Sequence, residues 1–236
     1  MESDITESAL FYKLWAWGEK NKKQLIWGAV TVVVVGLGIA FWLAHQNEKQ
    51  NDANDALSKL TGEAVLPTAT PPSPESLLKV TADYPDTDAG QRALLLGAAD
   101  LFAAGKFDEA QARFQQFIKD YNESPLMSQA AFGVAACYDA LGKARDAISA
   151  YQSVVDRYPN QNVTPQAKLA LGRLLEGQGK YPEARSNLQE VLRSTQGTLA
   201  SEAASRLQEL NALHPESLES TNRPAAPAMP VLNPKP

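Results

Sequence analysis

Residue types that do chemistry are scarce in this chain of 236 residues, and they are not gathered. There is one thiol, Cys137, and there are two imidazoles, His45 and His214. A metal site needs three or four such ligands at short spacing, so no metal is expected; a disulfide within the chain would need a second cysteine. Cys137 stands between Ala136 and Tyr138, where a free cysteine packs as a small hydrophobe rather than serving as a nucleophile. Gly-Lys occurs at 105–106, 142–143 and 179–180, but each dipeptide lacks the other glycine and the Ser/Thr of a phosphate-binding loop. No nucleophile elbow is present either. With 22 Lys and Arg against 27 Asp and Glu, the net charge is -5, and no basic stripe offers a nucleic-acid surface. These residues predict a chain that is not an enzyme and needs no cofactor.

The Gly-Lys dipeptides do carry information, because of their spacing. Gly105-Lys106-Phe107-Asp108-Glu109-Ala110 recurs 37 residues later as Gly142-Lys143-Ala144-Arg145-Asp146-Ala147, and again as Gly179-Lys180-Tyr181-Pro182-Glu183-Ala184. The same step relates Ala93, Ala130 and Ala167; Phe114, Tyr151 and Leu188; and Tyr84, Tyr121 and Tyr158. A fixed period of this length marks stacked supersecondary units. Each unit reads as two helices. The first starts near Asp88, Ser124 or Thr164, with Ser124-Pro125 and Thr164-Pro165 as cap and first-turn proline, and a glycine in left-handed conformation ends it. The second runs from the Asp/Glu-Ala pair to the tyrosine. A lone pair cannot bury its apolar face, so stacking makes the core. Helices are also expected at 46–60 and 74–83, with a Pro/Thr-rich loop between them. A capping helix is expected at 199–213, with Ala204 in register with Ala167. Six prolines in residues 214–236 predict a disordered tail.

Residues 24–44, QLIWGAVTVVVVGLGIAFWLA, hold no charge. About 20 such residues span the roughly 30 Å of a bilayer's hydrocarbon core, and Trp27 and Trp42 stand where indoles favour the interface. A buried core helix of this length would carry a polar face. A cleavable signal is the other rival, but residues 1–23 hold as many acids as bases, and Trp42 occupies the place of a small pre-cleavage residue. Lys13, Lys20, Lys22 and Lys23 on one side, against Lys49 and Lys59 on the other, keep residues 1–23 in the cytoplasm and export residues 45–213. Leu10, Phe11, Leu14, Trp15 and Trp17 form either an interfacial helix on the inner leaflet or a solvated tail. Gly36 and Ala40 make a small-xxx-small pair of the kind that supports a weak homodimer.

The small residues, glycine turns and aromatics at these offsets resemble the tetratricopeptide repeat over about residues 75–213. The 37-residue period and Tyr-Pro at 84–85 and 158–159 are similar to the longer repeats of bacterial envelope proteins, such as the TolA-associated cell-division coordinators and the BAM-complex lipoproteins. Asn122 departs from that pattern, as does the first unit, which lacks the Gly-Lys turn. A short cytoplasmic segment, one membrane helix and then repeats is similar in architecture to the ancillary tetratricopeptide subunits of the SecYEG translocon. The resemblance implies an all-α helix-pair solenoid behind a single-pass anchor in a bacterial inner membrane, with the repeats in the periplasm.

It also implies a concave face lined by first helices: Arg92, Leu95, Ala99 and Phe102; then Gln129, Phe132, Ala136 and Asp139; then Gln166, Leu169, Arg173 and Glu176. An apolar centre with polar edges suits an extended peptide or a helix. Arg92, Phe102, Gln129, Asp139, Gln166, Arg173 and Glu176 are the expected partner contacts, and Leu95, Phe132 and Leu169 are the ones most suited to plain packing between repeats. The implied partners are proteins: translocon, periplasmic chaperone or envelope-assembly components. The alternative is a structural accessory subunit of a larger membrane complex.

Overall fold

The structure is a computed structural model and describes residues 15, 17, 19–63 and 72–215. The expectations for Leu10, Phe11 and Leu14, for the loop at 64–71 and for the tail beyond residue 215 lie outside the described residues. The chain divides into two units, one up to Ala56 and one from Leu57 on.

The first unit consists mainly of α1 (Lys22–Glu63), a helix of 42 residues whose last turns belong to the second. Separate helices were expected at 24–44 and 46–60; α1 instead runs through both without a break. No glycine or proline falls between Gly38 and Gly62, and most of the residues from His45 to Leu60 tolerate or favour helix. From Ile26 to Leu43 its large apolar side chains are exposed, with Trp27, Val32 and Phe41 exposed by 73%, 71% and 77%. By length and composition this helix is able to cross a membrane.

The second unit is all-α among the described residues. After α2 (Pro74–Asp83) come three helix pairs and a terminal helix: α3 (Asp88–Ala103) with α4 (Phe107–Asp120), α5 (Met127–Ala140) with α6 (Ala144–Arg157), α7 (Thr164–Gly177) with α8 (Tyr181–Ser194), and α9 (Thr198–Leu213). Each helix packs on the next, and first helices also meet first helices, α3 with α5 and α7 with α9. The register residues make this stacking possible. Ala93, Ala130, Ala167, Ala110, Ala147 and Ala184 are fully buried, so helix axes approach closely, while Phe114, Tyr151 and Leu188 fill the space beside them. Each such large apolar side chain contributes roughly 1.5–3 kcal/mol through burial.

The three Gly-Lys turns share one geometry. Gly105, Gly142 and Gly179 have φ of 78°, 70° and 72°, which an L side chain adopts only at a cost. The following lysine N–H then donates back to the helix just ended, from Lys106 to the Leu101 carbonyl at 2.9 Å, and likewise from Lys143 to Tyr138 and from Lys180 to Leu175. The glycine N–H donates as well, from Gly105 to the Phe102 carbonyl at 3.0 Å, and the two bonds satisfy the last carbonyls and turn the chain within three residues.

Three local expectations fail. Ser124-Pro125 does not open α5. The helix begins at Met127, because Ser124 Oγ is engaged with Gln91 Oε1 at 2.8 Å and with the Leu126 N–H at 3.3 Å, inside a turn that precedes the helix. Thr164 is the first residue of α7 rather than its cap, its hydroxyl donating to the Tyr158 carbonyl, while Pro165 does take its place in the first turn. In α9 the buried alanine is Ala203, 36 residues after Ala167, and Ala204 is exposed. The loop 195–197 is three residues shorter than the links 121–126 and 158–163 that precede α5 and α7, so α9 does not keep the 37-residue step.

Candidate protein-binding groove

Side-by-side first helices create a recess where their facing residues are small. Between α3, α4 and α5 lies a cavity of about 300 Å³. Leu95, Leu96, Ala99 and Phe102 of α3 form one wall, and Gln129, Phe132 and Ala136 of α5 form the other. The floor is the ring of Phe114. It reaches this depth because Gly133 has no side chain; a Cβ there would come within 2.6 Å of the ring. Phe102 stands edge-on to Phe107 with centroids 5.1 Å apart, which braces it at the end of α3. Leu96, 41% exposed, marks the mouth.

Six positions expected on the concave face therefore meet at one cavity: Leu95, Ala99, Phe102, Gln129, Phe132 and Ala136. The charged positions lie elsewhere. Arg92 is exposed and borders a separate recess of about 90 Å³ with Gln91, Ser124 and Leu126. Asp139 and Arg173 are committed to each other, an ion pair bridging α5 and α7. Gln166 is exposed, Glu176 is half-buried near the end of α7, and Leu169 is buried. Leu96, Phe114 and Gly133 line the cavity without having been expected on the concave face. Phe114 was recognisable as a filling residue from its register with Tyr151 and Leu188, but the open side of its ring follows only from Gly133 and the two alanines above it.

The electrostatics favour contact over bond chemistry. Burial pushes the Cys137 thiol up to about 11, helped by the charge of Asp108, so it stays protonated and inert at neutral pH. Burial also raises the Tyr151 hydroxyl, and the Asp139 carboxylate adds to the rise. Phe132 packs on the Tyr151 ring at 5.5 Å, joining the cavity wall to the next repeat. Among the described residues no group of three His, Cys, Asp or Glu is placed to hold a metal ion. The cavity presents one polar side chain, the Gln129 amide, on an otherwise apolar surface.

Residues 15–147, more than half of the 236, match the model of the tetratricopeptide repeat-like domain. No curated protein matches the chain. Among solved structures, a tetratricopeptide repeat protein from Parabacteroides merdae ATCC 43184 aligns with a TM-score of 0.53 at 16% identity, over 74% of this chain and 65% of its own. MamA from Desulfovibrio magneticus RS-1 aligns with a TM-score of 0.52 at 15% identity, over 73% of this chain and 91% of its own. The type III secretion chaperone SycD of Yersinia enterocolitica, in complex with a peptide of the translocator YopD, aligns at 0.46 and 20% identity, over 52% of this chain and 92% of its own. At these identities the likeness to the first two is one of fold.

Proposed function

Because the chain belongs to the tetratricopeptide repeat-like domain family, we propose that it is a membrane-anchored scaffold that holds protein partners in the groove of its repeats. The carrying observation is a contrast within one chain. Among the described residues, the repeats bury most of their apolar side chains and leave an apolar cavity between α3, α4 and α5, while α1 leaves a run of large apolar side chains from Ile26 to Leu43 exposed. A bilayer is the environment in which such a run is stable, and residues 24–44 have the required length. The lysines before it favour an N-terminus in the cytoplasm and repeats outside, on the periplasmic side of a bacterial inner membrane. Tethering then raises the local concentration of whatever the groove holds. Partners in protein export or envelope assembly, such as the translocon or periplasmic chaperones, fit that location.

The test uses the full chain in native membranes, with a photo-reactive amino acid placed at Leu96 in the mouth of the cavity or at Lys119 on the exposed side of α4. Protein adducts from Leu96 and none from Lys119 are expected. Adducts from neither position, with strong protein adducts from a probe at Val33, would replace the groove by the membrane helix as the contact surface and make the chain an accessory subunit of a membrane complex.

A further inference from the structure

The 37-residue register allows one repeat to be compared with the next, position by position. Between α3 and α5 the facing residues are Phe102 and Ala136, and the floor is Phe114. One period later the same positions are Asp139, Arg173 and Tyr151. Where Ala136 leaves room, the next repeat places a long arginine side chain, and Asp139 holds it there as an ion pair. The recess over Phe114 is therefore open, while the equivalent ground over Tyr151 carries a fixed cation and anion.

The open cavity also states what fits it. A cavity of about 150 Å³ lined by Leu, Ile and Phe accepts one benzene ring, so the 300 Å³ here has room for two side chains of ring or leucine size. None of its lining residues is charged, and the nearest register-equivalent charges, Asp139 and Arg173, neutralise each other. A charged group entering would lose water with nothing to pair it. Two side chains one helical turn apart, roughly 5–6 Å between Cβ atoms, enter such a slot together, with Gln129 beside the mouth for a backbone group.

Resting on the groove reading above, we infer that the α3–α4–α5 cavity is an anchoring subsite for a pair of uncharged, bulky apolar side chains of a protein partner, and that the Asp139–Arg173 pair confines this anchoring to the first full repeat. Groove binding could occur without either property, so the two readings fail separately.

The probe is a phage-displayed library of random peptides, selected on the full chain in lipid nanodiscs after depletion on empty nanodiscs. Enriched peptides are expected to share two uncharged bulky apolar positions. Ala99→Leu and Ala136→Leu each fill the cavity and should weaken those peptides on the order of tenfold or more, with an unchanged melting temperature. Ala99 is exposed at the rim, so its variant carries the test even if Ala136→Leu fails to fold. Peptides that bind both filled, folded variants as well as wild type overturn the subsite and leave groove binding standing. A library that yields no binder at all overturns both. Selection on Asp139→Ala/Arg173→Ala should add peptides with a further apolar position, and an unchanged set overturns the confining role of the pair.

Discussion

The Asp139–Arg173 pair can be isolated energetically because both partners are reversible. The Asp139 side chain is 18% exposed and that of Arg173 is 44% exposed, so water screens the pair but does not surround it. Exposed pairs contribute about 0.2–1 kcal/mol, and the shielding of Asp139 places this one near the upper end. Asp139→Arg removes that attraction and sets a second guanidinium against Arg173, for a total cost of roughly 1–2 kcal/mol. Arg173→Glu does the same with two carboxylates. At about 2–4 °C per kcal/mol for a domain of 150–250 residues, each single change should lower the melting temperature by about 2–8 °C.

The double reversal rebuilds the pair with its ends exchanged. It should melt near wild type, and the cycle should show a coupling free energy of about 1 kcal/mol or more. The assay is thermal circular dichroism of the full chain in detergent, repeated in high salt, where screening should shrink the differences. If the two single costs simply add in the double variant, the ion pair carries no net energy and the link it makes between α5 and α7 adds nothing to stability.

Three further outcomes follow from the same geometry. Ala147, fully buried where α6 meets its neighbours, should lose roughly 1–3 kcal/mol on change to Leu, whereas exposed Lys143→Ala should cost less than about 0.5 kcal/mol; equal costs by denaturant titration would mean the helix contacts are assigned wrongly. The Cys137 thiol, raised from 9.0 to about 11, should be alkylated on the order of 100-fold more slowly in the native chain than in guanidinium at pH 8. Because the folded value is the higher one, the stability it contributes is present below the unfolded value and is lost as pH rises through about 11. Finally, Ser149→Cys, exposed on α6, should react with a membrane-impermeant maleimide added outside the inner membrane, while buried Cys137 stays silent; labelling only after lysis of that membrane would reverse the orientation.

What the register conveyed was equivalence between positions. Ala93, Ala130 and Ala167 had to share one environment, and so did Gly105, Gly142 and Gly179, because a stacked unit repeats its own contacts. Links between units obey no such rule. The same spacing put Ala204 in the core, and a shorter link before α9 put Ala203 there instead. Ser124 looked like a cap because caps are local signals, but its hydroxyl was claimed by Gln91, 33 residues away. The groove was legible as a set of faces: Leu95, Ala99 and Phe102 share one helical face, as do Gln129, Phe132 and Ala136. The depth of the cavity was not legible, since it depends on how far the Phe114 ring sinks against Gly133. The pairing of Asp139 with Arg173 was equally hidden, because two charges 34 residues apart declare no partner until α5 and α7 are placed side by side.

In a chain built of repeats, positions that agree make the fold, and positions that disagree are where one repeat does something its siblings do not. The step from Ala136 to Arg173 is one such disagreement, and it separates an open apolar slot from a neutralised surface. The step from Gln111 to Ile148 to Arg185 is another, and it lies at the far end of the array. Arg185 is buried, with its Nε donating to Asn211 Oδ1 at 2.8 Å and an Nη nitrogen 3.5 Å from the His214 carbonyl. Asn211 lies in the last turn of α9 and His214 directly follows it, where backbone carbonyls lack helical partners and a cation is favoured. Truncated to alanine, Arg185 would release its hold on that end, and α9 would be the first helix to fray. The residue that departs from the register in α8 is thus suited to holding the end of α9, as the arginine that departs from it in α7 is suited to covering the ground that Ala136 leaves open one repeat earlier.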